Sequence, residues 1–447
     1  MNAIASHHRA RVGRLRGFAV GLVVAGLVAG CSVAAASPSP TAGAPSSPSP
    51  STSTQVPATP TSTPTPAGLP SVGIAPSGQW NGIKWISAGP VFPQTPIAGS
   101  GKAPFIQVSV FGWSRGYVGF RSAEDIPNAV APSFAMVSTS SADGLHWTAG
   151  RALDIEGLGS AVWIAAVVEG PTGLLAVGRY SPGICGPSIV AALWTSADGL
   201  TWTRVQWPAG SAYPAGVYTI DAGSTGYIAS GTLKDGATPA VWLSGDGRSW
   251  HQVPLPKPTS GVVVVDGATG FAGGYVLAGA QRSDIGCGES ESTPSLYTPS
   301  LWWSADGKSW TRSKLAGALP AAAVWMTVNR ISDHALMAVA QGDPTQVWVS
   351  NDGRTWRLIA SPSSMLGDGI VTDGQRGLVV LPPANNGDGP TIATVGDDLT
   401  VTTLSQSGDG PVASATTDTW MSAFGPTGVV ALSVDGLNLW LGVPTAS

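Results

Sequence analysis

The sequence predicts an all-β fold, a seven-bladed β-propeller of four-stranded antiparallel blades, closed by pairing the N-terminal strand with the last blade. Three observations predict it. One motif recurs along the chain, a second and independent repeat counts to the same number, and the two termini complete one another. Self-similarity at a steady period is a stronger guide to architecture than any local pattern.

The motif is Ser-x-Asp-Gly-x-x-Trp, present five times. Its fixed residues are Ser141, Asp143, Gly144 and Trp147, then Ser196, Asp198, Gly199 and Trp202, then Ser244, Asp246, Gly247 and Trp250. The last two copies hold Ser304, Asp306, Gly307 and Trp310, and Ser350, Asp352, Gly353 and Trp356. Asp-Gly after a β-rich run signals a tight turn, because Gly accepts positive φ and Asp bonds nearby backbone N–H groups. The Ser hydroxyl can serve the same turn. The Trp returns the chain to the core, where it covers roughly 150–250 Å². These positions read as structural.

The repeat extends beyond the motif. An apolar strand with a Trp two residues before the Ser leads into the last four copies, at Trp194, Trp242, Trp302 and Trp348. Two degenerate copies follow: Thr391 to Asp398, with Val401 in the Trp place, and Leu439-Trp440-Leu441-Gly442. Measured from the Ser position, the seven units are separated by 55, 48, 60, 46, 45 and 47 residues.

The second repeat lies between the motifs and begins a strand with Gly. It reads Gly116-Tyr117-Val118, Gly173-Leu174-Leu175, Gly226-Tyr227-Ile228, Gly274-Tyr275-Val276, Ala335-Leu336-Met337, Gly377-Leu378-Val379 and Gly428-Val429-Val430. One of the seven lacks its Gly. Units of this length suit four short strands with their turns, which is one propeller blade. After Gly442 the seventh unit has no outermost strand. The segment Trp80-Asn81-Gly82-Ile83-Lys84-Trp85 matches Trp202-Thr203-Arg204-Val205-Gln206-Trp207, the start of such a strand. The N-terminal segment is therefore expected to complete the last blade, which also hides two strand edges.

Ahead of the propeller the chain divides into a signal (1–30), a linker (31–78) and the folded unit (79–447). His7, His8, Arg9, Arg11, Arg14 and Arg16 form a basic start, followed by an apolar run from Phe18 to Ala29. That run is shorter than the roughly 20 residues a spanning helix needs, and it suits a secretory signal. It ends in Leu27-Val28-Ala29-Gly30-Cys31, which resembles the bacterial lipobox. The resemblance implies diacylation of Cys31 and display on the outer face of the cytoplasmic membrane, or a periplasmic or cell-surface face. From Ser32 to Gly78 the chain is rich in Ser, Thr, Pro, Ala and Gly and carries no charge. Such a segment cannot offset its ordering entropy, and its prolines favour an extended tether.

Composition limits the partners. With 22 basic and 26 acidic residues the net charge is −4, and no basic stripe with interleaved aromatics suits nucleic acid. The histidines beyond the signal, His146, His251 and His334, fall in or beside turns of separate units, so no metal or cofactor is expected. With Cys31 assigned to the lipid, Cys185 and Cys287 remain as a candidate disulfide between the loops of the second and fourth units. The expected partners are the membrane, through the lipid, and an extracellular glycan or protein ligand. A monomer is expected.

The motif resembles the Asp box, or BNR repeat, of sialidase-like propellers, and the resemblance runs from Gln79 onward. It implies that any site lies on the face opposite the motif turns. There the larger loops are Arg121 to Pro132, Tyr180 to Pro187, Gln281 to Pro299 and Pro382 to Pro390. Sialidases of this fold use three arginines on the substrate carboxylate, a Tyr activated by a Glu, an acid/base carboxylate and an early Arg-Ile-Pro. Here Asp125-Ile126-Pro127 does not replace that last motif. Arg121 and Arg179 end the second strands of neighbouring units, but their spacing from the preceding Gly differs by one residue. On a strand that sends them to opposite faces. Solvated arginines are the favoured reading, and the nearby Glu124, Asp125, Asp154 and Glu156 are favoured as surface acids over a catalytic pair. Gly112-Trp113-Ser114-Arg115-Gly116 matches a nucleophile elbow in letters but sits at a hairpin. Trp113, Trp163, Trp325 and Trp420 fall outside the repeat positions and are candidate sugar-stacking platforms. The expectation is a non-catalytic ligand-binding or scaffold module; the alternative is a sialidase-like glycoside hydrolase.

Overall fold

A computed structural model describes residues 80–88, 107–125, 133–154, 162–170, 173–180, 191–205, 207, 214–223, 226–233, 238–258, 261–282, 298–320, 325–341, 345–359, 371–372, 377–381, 391–396, 398–408, 410–411, 420–433 and 438–445. The signal, Cys31, the linker, Glu156, Cys185 and Cys287 lie outside these residues. Every regular element among the described residues is a β-strand. Blade 1 consists of Gln107–Trp113, Gly116–Asp125, Ser133–Ser141 and Thr148–Ala152, each antiparallel to the next. Blades 2 to 6 repeat that order outward from Val162–Gly170, Pro214–Gly223, Val262–Phe271, Trp325–Ser332 and Val371–Thr372. Innermost strands of consecutive blades touch all the way round, the seventh against the first. The protein is a seven-bladed β-propeller.

The ring closes as expected. Blade 7 has Trp420–Gly425, Gly428–Ser433 and Leu439–Pro444 from the C-terminal part, and Gly82–Ser87 as its next strand outward. The closing pair is antiparallel, with Ile83 opposite Pro444, Trp85 opposite Gly442 and Ser87 opposite Trp440.

The core is seven layers, one at each junction between blades. Between blades 1 and 2, Trp113, Phe120 and Met136 meet Ile164, Trp194 and Trp202. Between blades 2 and 3, Val168, Leu175 and Leu193 meet Trp242 and Trp250. Trp302 and Trp310 face blade 3, and Trp348 and Trp356 face blade 4. Both repeat tryptophans of a unit thus pack on the preceding blade, so one blade alone cannot bury them. Trp194 and Trp348 also donate their indole N–H across the junction, to the carbonyls of Asp154 and Ala316, each at 2.9 Å.

The motif turns are held by their own side chains. In all five the Ser hydroxyl donates to the Asp Oδ1 at 3.0–3.1 Å. That same Oδ1 accepts the N–H groups of the two residues after the Gly. The Gly takes φ between 69° and 80°. Four of the tryptophans return an indole hydrogen bond to the Gly carbonyl at 3.0–3.2 Å; Trp310 is the exception.

The two repeats interlock. Gly116 has φ 147°, and a Cβ there would stand 2.0 Å from the Ser141 carbonyl oxygen. Gly173, Gly226 and Gly274 press on the Ser196, Ser244 and Ser304 carbonyls in the same way. Blade 5 carries Ala335 at this place without positive φ, and its innermost strand shifts register between Arg330 and Ser332. The missing Gly therefore coincides with a bulge.

Two features depart from the expected plan. In the sixth unit Asp398 caps the turn by accepting the Thr400 N–H at 2.9 Å, and positive φ falls on Leu399 at 62°. In addition, two short segments leave one blade for the next. Lys314–Leu315 pairs parallel with Thr355 and Trp356 of blade 5, and Ser405–Gly408 pairs parallel with Gly82 to Trp85 of blade 7.

The turn geometry also sets a pH dependence. Partial desolvation pushes the Asp246 carboxyl up, but hydrogen bonds from the Ser249 and Arg248 N–H groups and from both serine hydroxyls outweigh it and hold it at about 2. The same balance lowers Asp143, Asp198 and Asp352, and backbone N–H bonds lower Asp306. A carboxyl depressed by folding stabilises the fold above its unfolded pKa of about 3.9 and loses that contribution as pH falls through the folded value. The melting temperature should be flat above about pH 5 and fall steadily toward pH 2. Thermal melts should show a smaller fall for Asp246→Asn; equal falls in both proteins would contradict the assignment.

Candidate functional site

The C-terminal halves of the innermost strands enclose a cavity of about 210 Å³ on the ring axis. These strand ends run into the first-to-second strand turns, so the cavity lies toward the end of the channel that the motif turns share. Its wall is divided. Blades 3 to 6 contribute a polar arc containing Thr219, Asp221, Thr269, Asn329, Arg330 and Thr372. Blades 7, 1 and 2 contribute mostly apolar side chains, among them Met421, Val110, Phe111, Ile164 and Val167.

The polar arc is stitched from blade to blade. Asp221 sits two residues before the turn of blade 3 and accepts hydrogen bonds from the Thr269 hydroxyl and, at 3.1 Å, the Gly270 N–H of blade 4. Thr219 is 2.6 Å from the Ser230 hydroxyl and accepts the Ala268 N–H at 3.1 Å. Asp266 of blade 4 accepts the Met326 N–H of blade 5 at 3.0 Å. The Thr372 hydroxyl of blade 6 donates to the Arg330 carbonyl.

Arg330 is 4% exposed. Its Nη2 stands 3.9 Å from Asp221 and its Nη1 stands 3.7 Å from Asp333, while Nε has no protein acceptor. Those separations give charge compensation but are too long for hydrogen bonds. Arg330 and Asp221 are the charged residues among the described lining, which contains neither Tyr nor Glu. Among the described residues no three His, Cys, Asp or Glu side chains gather as a metal site.

The sequence candidates are dispersed. Arg121 lies opposite Val108 and Val137 in blade 1; it is half-buried rather than solvated, and its Nε has no partner. Arg179 lies opposite Trp163 and Ala191 in blade 2, one strand position beyond the equivalent of Arg121. Asp154 is exposed after the outermost strand of blade 1. Neither Arg121 nor Asp154 is among the described residues that line the axial cavity. Trp113 is buried at 3% exposure with Arg115 stacked 4.2 Å from its ring, so it is no sugar platform. Ser114 occupies a hairpin turn and donates to Glu169 of blade 2, its N–H at 2.7 Å.

Sequence reasoning passed over Asp221 and Arg330. The available signal was a charge two residues before the first-to-second strand turn, in strands with no other charged residue.

No protein-family model matches the sequence, and no curated protein matches it. Solved structures of similar architecture include a protein of unknown function from Dyadobacter fermentans, 14% identical over 84% of this chain and 98% of that one, with a TM-score of 0.40. An α-L-arabinanase from Penicillium chrysogenum, complexed with arabinobiose, is 15% identical over 73% of this chain and 98% of its own, with a TM-score of 0.36. A Trypanosoma rangeli sialidase in complex with the inhibitor DANA is 12% identical over 73% of this chain and 58% of its own, at 0.37. Likeness of this order carries none of their activities to this chain.

The axial charges give a stability prediction. Asp221→Asn removes the more deeply buried of the two counter-charges of Arg330 and should cost about 3 kcal/mol. Asp333 is half-exposed, so Asp333→Asn should cost less than about 1 kcal/mol. Urea denaturation compares the two; equal losses would contradict the buried pair.

Proposed function

We propose that this chain is a lipid-anchored, surface-exposed propeller that acts as a non-catalytic ligand-binding or scaffold module. The observation that carries the reading is the state of the axial charges. The one carboxylate among the described lining accepts two hydrogen bonds from blade 4 and faces the one arginine, so it ties neighbouring blades together. Hydrolysis of a glycoside ordinarily needs two carboxyl groups flanking the bond at about 5–10 Å. The described wall offers one carboxyl, together with a polar arc and an apolar arc suited to holding a ligand.

The tether fits this role. Diacylation of Cys31 and a Pro-rich linker of about 3.1 Å per residue would hold the ring clear of the bilayer, where a glycan, a cell-wall polymer or a protein could reach it.

The test uses the full-length protein against sialosides, arabinosides and other glycosides, with released sugar measured beside retention on glycan arrays and cell-wall polymer. Retention without release is expected, and Cys31→Ser should move the protein from the membrane to the soluble fraction. Release that disappears in Arg121→Ala or Arg179→Ala would overturn the reading in favour of a sialidase-like glycoside hydrolase.

A further inference from the structure

We infer that the axial cavity binds a neutral, hydroxyl-rich ring of pyranose size, with Arg330 donating to it. The inference rests on the binding-module reading and names the class of ligand that module takes.

The starting point is Arg330, a guanidinium 4% exposed in the cavity wall, whose Nε is sealed without a protein acceptor and whose Nη1 and Nη2 are left as the donors for a ligand. Buried polar groups in folded proteins nearly always have a partner. Its two carboxylate neighbours, at 3.9 and 3.7 Å, balance its charge without satisfying its N–H groups. What the arginine lacks is therefore an acceptor and not a counter-ion. An acidic ligand would add a third negative charge beside one positive, and like charges that close are disfavoured.

A hydroxyl answers both sides of this arrangement. It can accept from Arg330 and donate to the remaining lone-pair capacity of Asp221, whose Oδ1 takes the Ala222 N–H. Asn329 lines the wall beside Arg330 and supplies an amide of both polarities. Across the cavity, Phe111, Val167 and Met421 present an apolar surface for the C–H face of a sugar ring. The volume of about 210 Å³ suits one ring and not a chain.

The experiment titrates full-length protein with methyl glucoside, galactoside and mannoside, and with glucuronate and N-acetylneuraminate, by saturation-transfer NMR and calorimetry. At least one neutral glycoside should saturate, and neither acid should bind more tightly. Arg330→Met and Asn329→Leu should each weaken binding about tenfold or more. Asn329→Leu alters no charge, so an unchanged melting temperature separates lost binding from lost fold. Preference for an acid, or saturation by none of the five, overturns the inference. Neutral sugars bound equally by wild type and Asn329→Leu overturn it as well, while leaving the binding-module reading intact. Released methanol would instead sink that reading itself.

Discussion

The second to fifth repeat units each bury two tryptophans on the blade before them, and the rest of the molecule depends on that constraint. Trp194 and Trp202 complete the layer between blades 1 and 2, and Trp242 and Trp250 the next. Burying one indole is worth at most about 4–6 kcal/mol by area, a gain available only when the preceding blade is present. A row of such blades would always leave one layer open. Closing the row into a ring removes the open layer, and the strand Gly82–Ser87 is the piece that closes it.

The turns and the axis solve local problems within that frame. On the outside, the Ser–Asp–Gly turn satisfies its own backbone donors and leaves the Trp free to reach the neighbouring blade. The interlocking glycines let the second strand start directly against the motif Ser carbonyl. On the inside, seven strand ends converge on one axis, and their buried polar groups find partners in adjacent blades. Asp221, Thr219, Asp266 and Thr372 do so across blades 3 to 6. The opposite arc is closed by apolar packing and by backbone approach so tight that a Cβ on Gly112 would fall 1.5 Å from the Phe424 carbonyl oxygen.

How much of this was legible in the sequence follows from what repeats. Side chains that recur, such as the motif residues and the strand-leading glycines, declare blade number, turn chemistry and closure before any coordinates. The exception at Ala335 was visible, but its accommodation by a bulge was not, because a register shift leaves no residue pattern. The parallel segments Lys314–Leu315 and Ser405–Gly408 are too short to carry a period. The axial pair was hidden for a different reason. Asp221 and Arg330 lie 109 positions apart and meet only because two blades bring equivalent strand positions to one axis. Arg121 and Arg179 show the converse: the one-residue difference in their spacing from the leading Gly is visible in the sequence, and the strand register of their adjacent blades repeats it.

The central claim is that the segment near Trp85 is a structural strand of the last blade and not an extension of the linker. Native-state hydrogen exchange tests it most directly, by comparing the amides of Gly82–Ser87 with those of Leu439–Pro444 in the same molecule. The ring predicts that the paired amides of both strands are protected together and open only in one cooperative unfolding step. Rapid exchange of Gly82–Ser87 beside a protected Leu439–Pro444 would contradict closure and leave blade 7 with an open edge.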